Sequence, residues 1–81
     1  MSVNVQYFAR YREALGLDGE QVEGEFASID ALRLHLLKRE GAWQVLSEQS
    51  LMCARNQELC SLDEPLEASD EVAFFPTVTG G

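Results

Sequence analysis

The chain has 81 residues, 46% of them apolar, and carries 14 acidic against 6 basic side chains for a formal net charge of −8. A chain of this length buries one modest core, roughly 60% of its unfolded surface, so a single domain over residues 1–81 is expected. The anionic surface repels phosphate backbones and lipid headgroups alike. Nucleic acid and membrane are thereby set aside as partners, leaving a basic or mixed-charge protein surface, or plain solubilisation, as its use.

Residues Val3 to Ala9 alternate apolar and polar before reaching Tyr7-Phe8, which predicts a first strand with one face on a core. This opening lacks the charged-then-apolar order of a signal peptide, and no apolar run approaches the roughly 20 residues that cross a bilayer. A soluble, cytoplasmic protein is expected. Arg10 to Leu15 are good helix formers stopped by Gly16, predicting a short helix with a glycine cap. Glu20 to Phe26 is polar and charged, as suits a short edge strand that discourages stray pairing.

Ser28 is placed to cap the next helix, with Asp30 in its first turn, Lys38 and Arg39 in its last, and Gly41 closing it. Ile29, Leu32 and Leu36 recur at helical spacing, with Leu34 and Leu37 widening the stripe, so one face is expected to cover a sheet. Ala42 to Glu48 continues as a second short helix in which Trp43 reads as structural. Leu51 to Arg55 and Glu58 to Cys60 predict a hairpin turning at Asn56-Gln57. Turn chemistry around Pro65 and at Ser69-Asp70 then leads into a last strand, Glu71 to Phe75. Strand, short helix, strand, capped helix, hairpin and final strand is the order of an α+β, β-grasp domain. It predicts a mixed sheet of about five strands under one main helix, with the first and last strands central and parallel.

Cys53 and Cys60 are seven apart and form neither a CxxC pair nor a zinc set, so both are read as small apolar residues in or near the core. There is no HExxH, no GxSxG and no phosphate loop, and His35, between two leucines mid-helix, receives no role. No bound metal or cofactor is expected. What stands out is Gly80-Gly81 behind a hydrophobic strand. The last four residues would reach about 13 Å beyond the body, and glycines, lacking Cβ, would pass a narrow channel. The Gly81 carboxylate, ionised at neutral pH, can attack the α-phosphorus of ATP held by a separate activating enzyme. A frayed, idle end is the other reading of the same residues.

The sequence resembles the small subunit of molybdopterin synthase, the MoaD group of ubiquitin-like sulfur carriers. The resemblance runs through Phe8-Ala9, Arg12-Glu13, Gly16, Ala31-Leu32-Arg33, Asn56-Gln57, Leu59 and Asp63-x-Pro65-Leu66. Its strongest stretch is Asp70-Glu71-Val72-Ala73-Phe74-Phe75-Pro76, then Val78-Thr79-Gly80-Gly81. Thr77 departs from a pattern that often has a second Pro there. The resemblance implies a ubiquitin-like β-grasp fold whose tail, about 76–81, is flexible. Gly81, with Gly80 behind it, would be adenylated, converted to a thiocarboxylate by a sulfur donor protein, and inserted into a large subunit. Two sulfur transfers to cyclic pyranopterin monophosphate would build the dithiolene, in a heterotetramer of two small and two large subunits. Phe75, Leu59, Arg12, Pro76, Val78 and Thr79 would meet the partners, with Phe75 turned outward and Phe74 inward by strand alternation. A modifier joined to lysines, a thiamine-pathway carrier and a noncovalent acidic binding module remain as alternatives.

Overall fold

The computed structural model describes residues 1–77. Along the chain run β1 (Ser2–Tyr7), α1 (Ala9–Leu15), β2 (Gly19–Glu23), α2 (Ile29–Leu37), a 3₁₀ helix (Gly41–Ser47), β3 (Leu51–Arg55), β4 (Glu58–Cys60) and β5 (Glu71–Pro76). The five strands form one sheet in the order β2-β1-β5-β3-β4. β1 and β5 are parallel, and every other pair is antiparallel. This is the mixed, α+β ubiquitin-like β-grasp sheet that the sequence predicts.

Alternation puts Val3, Val5 and Tyr7 of β1 and Val72 and Phe74 of β5 on one face, where Ile29, Leu32 and Leu36 of α2 join them in a single buried cluster. Tyr11 of α1 and Leu46 of the 3₁₀ helix complete it. The signals that start and stop these helices act as expected. Gly16 takes a left-handed φ of 74° and donates its N–H to the Arg12 carbonyl, while the Ser28 hydroxyl accepts the Ala31 N–H at 3.2 Å. Asn56 and Gln57 both adopt positive φ, 49° and 72°, the pair of angles a type I′ hairpin turn needs.

Three boundaries and the face of one leucine differ from the sequence reading, each for a local reason. β1 ends at Tyr7 because the Phe8 N–H makes the last bond to β5, to the Phe74 carbonyl at 3.1 Å, and Ala9, with a φ of 53°, then turns the chain out of the sheet. β2 ends at Glu23 because Gly24, at a φ of 154°, turns the chain so that Phe26 enters the core. Leu34 does not widen the α2 stripe. It sits about 200° around the helix from both Leu32 and Leu36 and is 50% exposed. Gly41 does not close α2, whose C-cap is Lys38 in right-handed geometry; Lys38 and Arg39 therefore lie at and beyond its end, and Gly41 opens the 3₁₀ helix. Trp43 is structural, with its ring edge-on to Tyr7 at 5.5 Å between centroids and the Arg39 guanidinium 4.4 Å over it.

The turn of the β3–β4 hairpin is tied to the start of β5 through Asp70. This buried carboxylate accepts from Arg55 Nε at 2.7 Å, the Glu67 N–H at 2.8 Å and Asn56 Nδ2 at 3.1 Å. Asn56 Oδ1 in turn accepts the Glu71 N–H at 3.0 Å. Burial pushes the Asp70 carboxyl up, but the bonds from Arg55, Glu67 and Asn56 outweigh it and hold the group below the usual carboxylate range. A carboxyl depressed on folding stabilises above its unfolded value, about 3.9, and loses that contribution as pH falls through the folded one. Urea unfolding of wild type and Asp70→Asn should therefore show a stability gap that is full at neutral pH and closes below about pH 4. A gap that stays constant into acid would show that this carboxylate's charge does not contribute.

Candidate functional site

β5 is hydrogen-bonded on both sides, to β1 through Asn4↔Glu71 to Tyr7↔Phe74 and to β3 through Leu51↔Pro76 to Arg55↔Val72. Such a strand has no freedom to swing, so whatever follows it leaves from a fixed point. Pro76 is buried opposite Leu51 and belongs to the strand, so the body of the domain extends through the residue at which the sequence reading starts a tail. Thr77 follows, its hydroxyl bonded to the Ser50 carbonyl.

The segment before Ser50 is braced as well. Both terminal nitrogens of Arg10 bond Glu48, at 2.8 and 2.7 Å, and the Tyr11 hydroxyl donates to the same carboxylate at 2.8 Å. Burial, and then the bond to Glu48, push the Tyr11 hydroxyl up to about 12, while the bond from Arg10 holds Glu48 low. Tyr11 thus stays a neutral donor, and α1 is fixed to the end of the 3₁₀ helix beside the point where β5 stops.

Strand alternation sorts the adjacent aromatics. Phe74 is fully buried in the core, whereas Phe75 points to the other face, is half-buried, and stands outside the core cluster. Opposite it on β3 is Met52, 37% exposed. The neighbouring row runs Ala73, Ala54 and Leu59 across β5, β3 and β4, with Leu59 at 70% exposure. Both main helices pack on the opposite face through Tyr11, Ile29, Leu32 and Leu36. Phe75, Met52, Ala73 and Leu59, with the buried Ala54 between them, therefore form one apolar strip on the uncovered face, ending where the chain leaves the sheet. An apolar strip of this kind, bordered by polar residues such as Gln6 opposite Ala73, is a surface that a protein partner can cover.

The structure brings together Phe75 and Leu59 on this strip. Arg12 lies on α1, the helix that starts beside the exit of β5; its side chain is half-exposed and only loosely paired with Asp18, at 3.7 Å. Val78, Thr79, Gly80 and Gly81 lie outside the described residues. Sequence reasoning missed Met52 and Phe8, the latter 44% exposed at the start of α1. The run Leu51-Met52-Cys53-Ala54 has no polar alternation to reveal its faces, and only the register with β5 assigns them. Phe8 reads as strand until the positive φ of Ala9 is known. Among the described residues no three His, Cys, Asp or Glu side chains gather as a metal set, and no helix is long and apolar enough to cross a membrane. The arrangement offers a docking face and a fixed exit for the chain that follows it.

Comparison with known proteins agrees with this anatomy. The sequence matches the ThiS family over residues 5–81. It is 44% identical over 80 residues to the molybdopterin synthase sulfur carrier subunit of Escherichia coli, covering 98% of this chain and 99% of that one. The fold is similar to that of SAMP1 from Haloferax volcanii, with a TM-score of 0.84, 26% identity and all of both chains covered. It is also similar to a putative molybdopterin converting factor, subunit 1, from Pyrococcus furiosus, with a TM-score of 0.78, 31% identity and 96% and 99% of the two chains covered. The chain thus belongs to the ThiS family, in its molybdopterin synthase small-subunit group.

Proposed function

We propose that this chain carries sulfur for molybdopterin synthesis on the α-carboxylate of Gly81. The observation that supports the reading best is the anchoring of β5. A strand paired on both sides through Phe74, and with β3 as far as Pro76, gives a short tail a rigid base, and the Phe75–Met52–Leu59 strip beside that base gives a partner its grip. Docking then delivers the last residues to one place, which converts a search into positioning.

The chemistry runs in three steps. In an activating enzyme the Gly81 carboxylate oxygen attacks the α-phosphorus of ATP, pyrophosphate leaves, and an acyl-adenylate results. A sulfur donor protein then delivers sulfur to the activated carbonyl carbon, AMP leaves, and Gly81 ends as a thiocarboxylate. In the large synthase subunit the thiocarboxylate sulfur is transferred to cyclic pyranopterin monophosphate, and two such transfers build the dithiolene of molybdopterin. The carboxylate is regenerated as water takes the place of the departing sulfur. The large subunit supplies the pterin site and the activating enzyme binds the ATP, so this chain is a sulfur-carrying subunit with no cofactor of its own. The complex contains two small and two large subunits and works in the cytoplasm, with neither nucleic acid nor membrane as partner.

Phe75, Met52 and Leu59 meet the partner's apolar surface, Arg12 its rim, and Val78 and Thr79 the entrance of its channel, while Pro76, buried opposite Leu51, holds the base of that segment. Deleting Gly81 should leave thermal unfolding unchanged, because the residue follows the last strand, and should abolish molybdopterin formation in a mixture of large subunit, activating enzyme, ATP and sulfur donor. Formation that persists without Gly81 would mean that the terminus carries no sulfur and that the chain acts as a binding module.

A further inference from the structure

We propose that Cys53 and Cys60 form a reversible cross-strand disulfide that staples β4 to β3 next to Leu59. The two residues face each other directly in the antiparallel register of the hairpin. Directly opposed residues in such a pair have Cα atoms about 4.5–5.5 Å apart, within the roughly 4.4–6.8 Å that a disulfide spans. The sulfurs are already 4.0 Å apart, and the Cys53 thiol leans toward its partner strand, donating to the Cys60 carbonyl at 3.4 Å. Both cysteines are free thiols in this structure. Side-chain rotation suffices to close the remaining gap, with no change of register.

The two thiols differ in access, and that difference sets the order of events. Cys53 is 2% exposed and belongs to the core cluster. Cys60 is half-buried and opens on a hollow of about 260 Å³ that Arg55, Glu58, Leu59 and Glu64 also line. A low-molecular-weight disulfide therefore meets Cys60 first. The Cys60 thiolate attacks one sulfur of that disulfide, a Cys60–S–S–R bond forms, and one R-thiolate leaves and takes up a proton. Cys53 then gives up its proton, its sulfur attacks Cys60 Sγ, and the second R-thiolate leaves and is protonated. The protein loses two protons and two electrons, and the small disulfide is reduced to two thiols. The second step is favoured by proximity, since its nucleophile is held beside its target.

Burial pushes both thiols up, Cys53 to about 12. Few thiolates are present at neutral pH, so the pair reacts slowly and stays reduced until oxidising conditions persist. Closure ties an edge strand of only three residues to its neighbour. Leu59, on the opposite face of that strand, is thereby held in its place in the docking strip. The staple does not depend on the sulfur-carrier reading, since it follows from the hairpin register alone.

The full chain is incubated with excess oxidised glutathione, quenched in acid, alkylated with N-ethylmaleimide in denaturant and analysed by intact mass and peptide mapping. The expected product is lighter by two hydrogens, takes no alkylation, and yields a Cys53 peptide joined to a Cys60 peptide. A reductant restores both alkylatable thiols. The oxidised form should melt roughly 5–15 °C above the reduced one. Cys53→Ala should retain a single glutathione on Cys60, whereas Cys60→Ala, whose remaining thiol is shielded, should stay unmodified. A stable glutathione adduct on wild-type Cys60 would overturn the proposal. So would two alkylatable thiols after a time in which the urea-unfolded chain is fully oxidised, or an oxidised form that melts below the reduced one.

Discussion

Phe75→Ala should weaken binding of the large synthase subunit by roughly ten- to a hundredfold, the equivalent of the 1.5–3 kcal/mol for burying such a ring at an interface. It should leave the fold nearly as stable as before. Phe75 lies on the uncovered face of a strand held on both sides, outside the core cluster and opposite the exposed Met52. Removing its ring from the free protein therefore opens no enclosed cavity, and the stability cost should stay within about 1 kcal/mol. Titration calorimetry against the large subunit, with thermal unfolding of the free chain as control, separates the two effects. A variant that unfolds readily, yet binds as well per folded molecule as wild type, would remove Phe75 from the docking face.

Its neighbour should behave in the opposite way. Phe74 is fully buried, packed with Tyr7, Val72 and Cys53 of the same face and the α2 residues above them. Phe74→Ala removes a whole ring from a close-packed interior and should cost about 3–5 kcal/mol, a large share of the roughly 5–15 kcal/mol that stabilises a small domain. Urea unfolding should show a much lower midpoint, with partly unfolded protein already present without denaturant. Any loss of binding should then track the loss of folded molecules. A Phe74→Ala chain as stable as wild type would contradict the core described here.

The contrast between these adjacent phenylalanines is also the clearest case of what the sequence reveals. Alternation says that one ring points in and one out. Val72 and Phe74 fall in phase with the core, and the choice of Phe75 as the outward ring agrees with the structure. Caps and turns were legible for the same kind of reason. Ser28, Gly16 and Asn56-Gln57 meet local backbone needs that few other residues meet, so their identity announces their geometry. The continuous apolar run in β3 was not legible, because nothing in Leu51-Met52-Cys53-Ala54 alternates and its faces depend on strands far away in sequence. The place of Met52 in the apolar strip and the opposed cysteines both follow from that register alone.

Leu34 looks continuous with the core stripe in sequence, but an apolar residue two positions from that stripe lies on the far side of the helix in space. Gly41 looked like a cap because glycine often is one, yet α2 closes through right-handed Lys38, and the glycine serves the next turn. For the proposed carrier site, the sequence offered the terminal residues and one side of the docking strip. The structure adds what gives them a base: a last strand paired on both sides through Phe74 and with β3 as far as Pro76, the Arg10–Glu48–Tyr11 brace, and the Thr77 bond to Ser50.

The most direct test of sulfur carriage is the intact mass of the chain after incubation with ATP, its activating enzyme and a sulfur donor, with fragmentation to locate any change. Sulfur carriage requires a gain equal to replacing one oxygen by sulfur, confined to Gly81 and absent when Gly81 is deleted or ATP withheld. An unchanged mass, in a mixture that converts a known carrier, would contradict it and leave the chain as a noncovalent binding module.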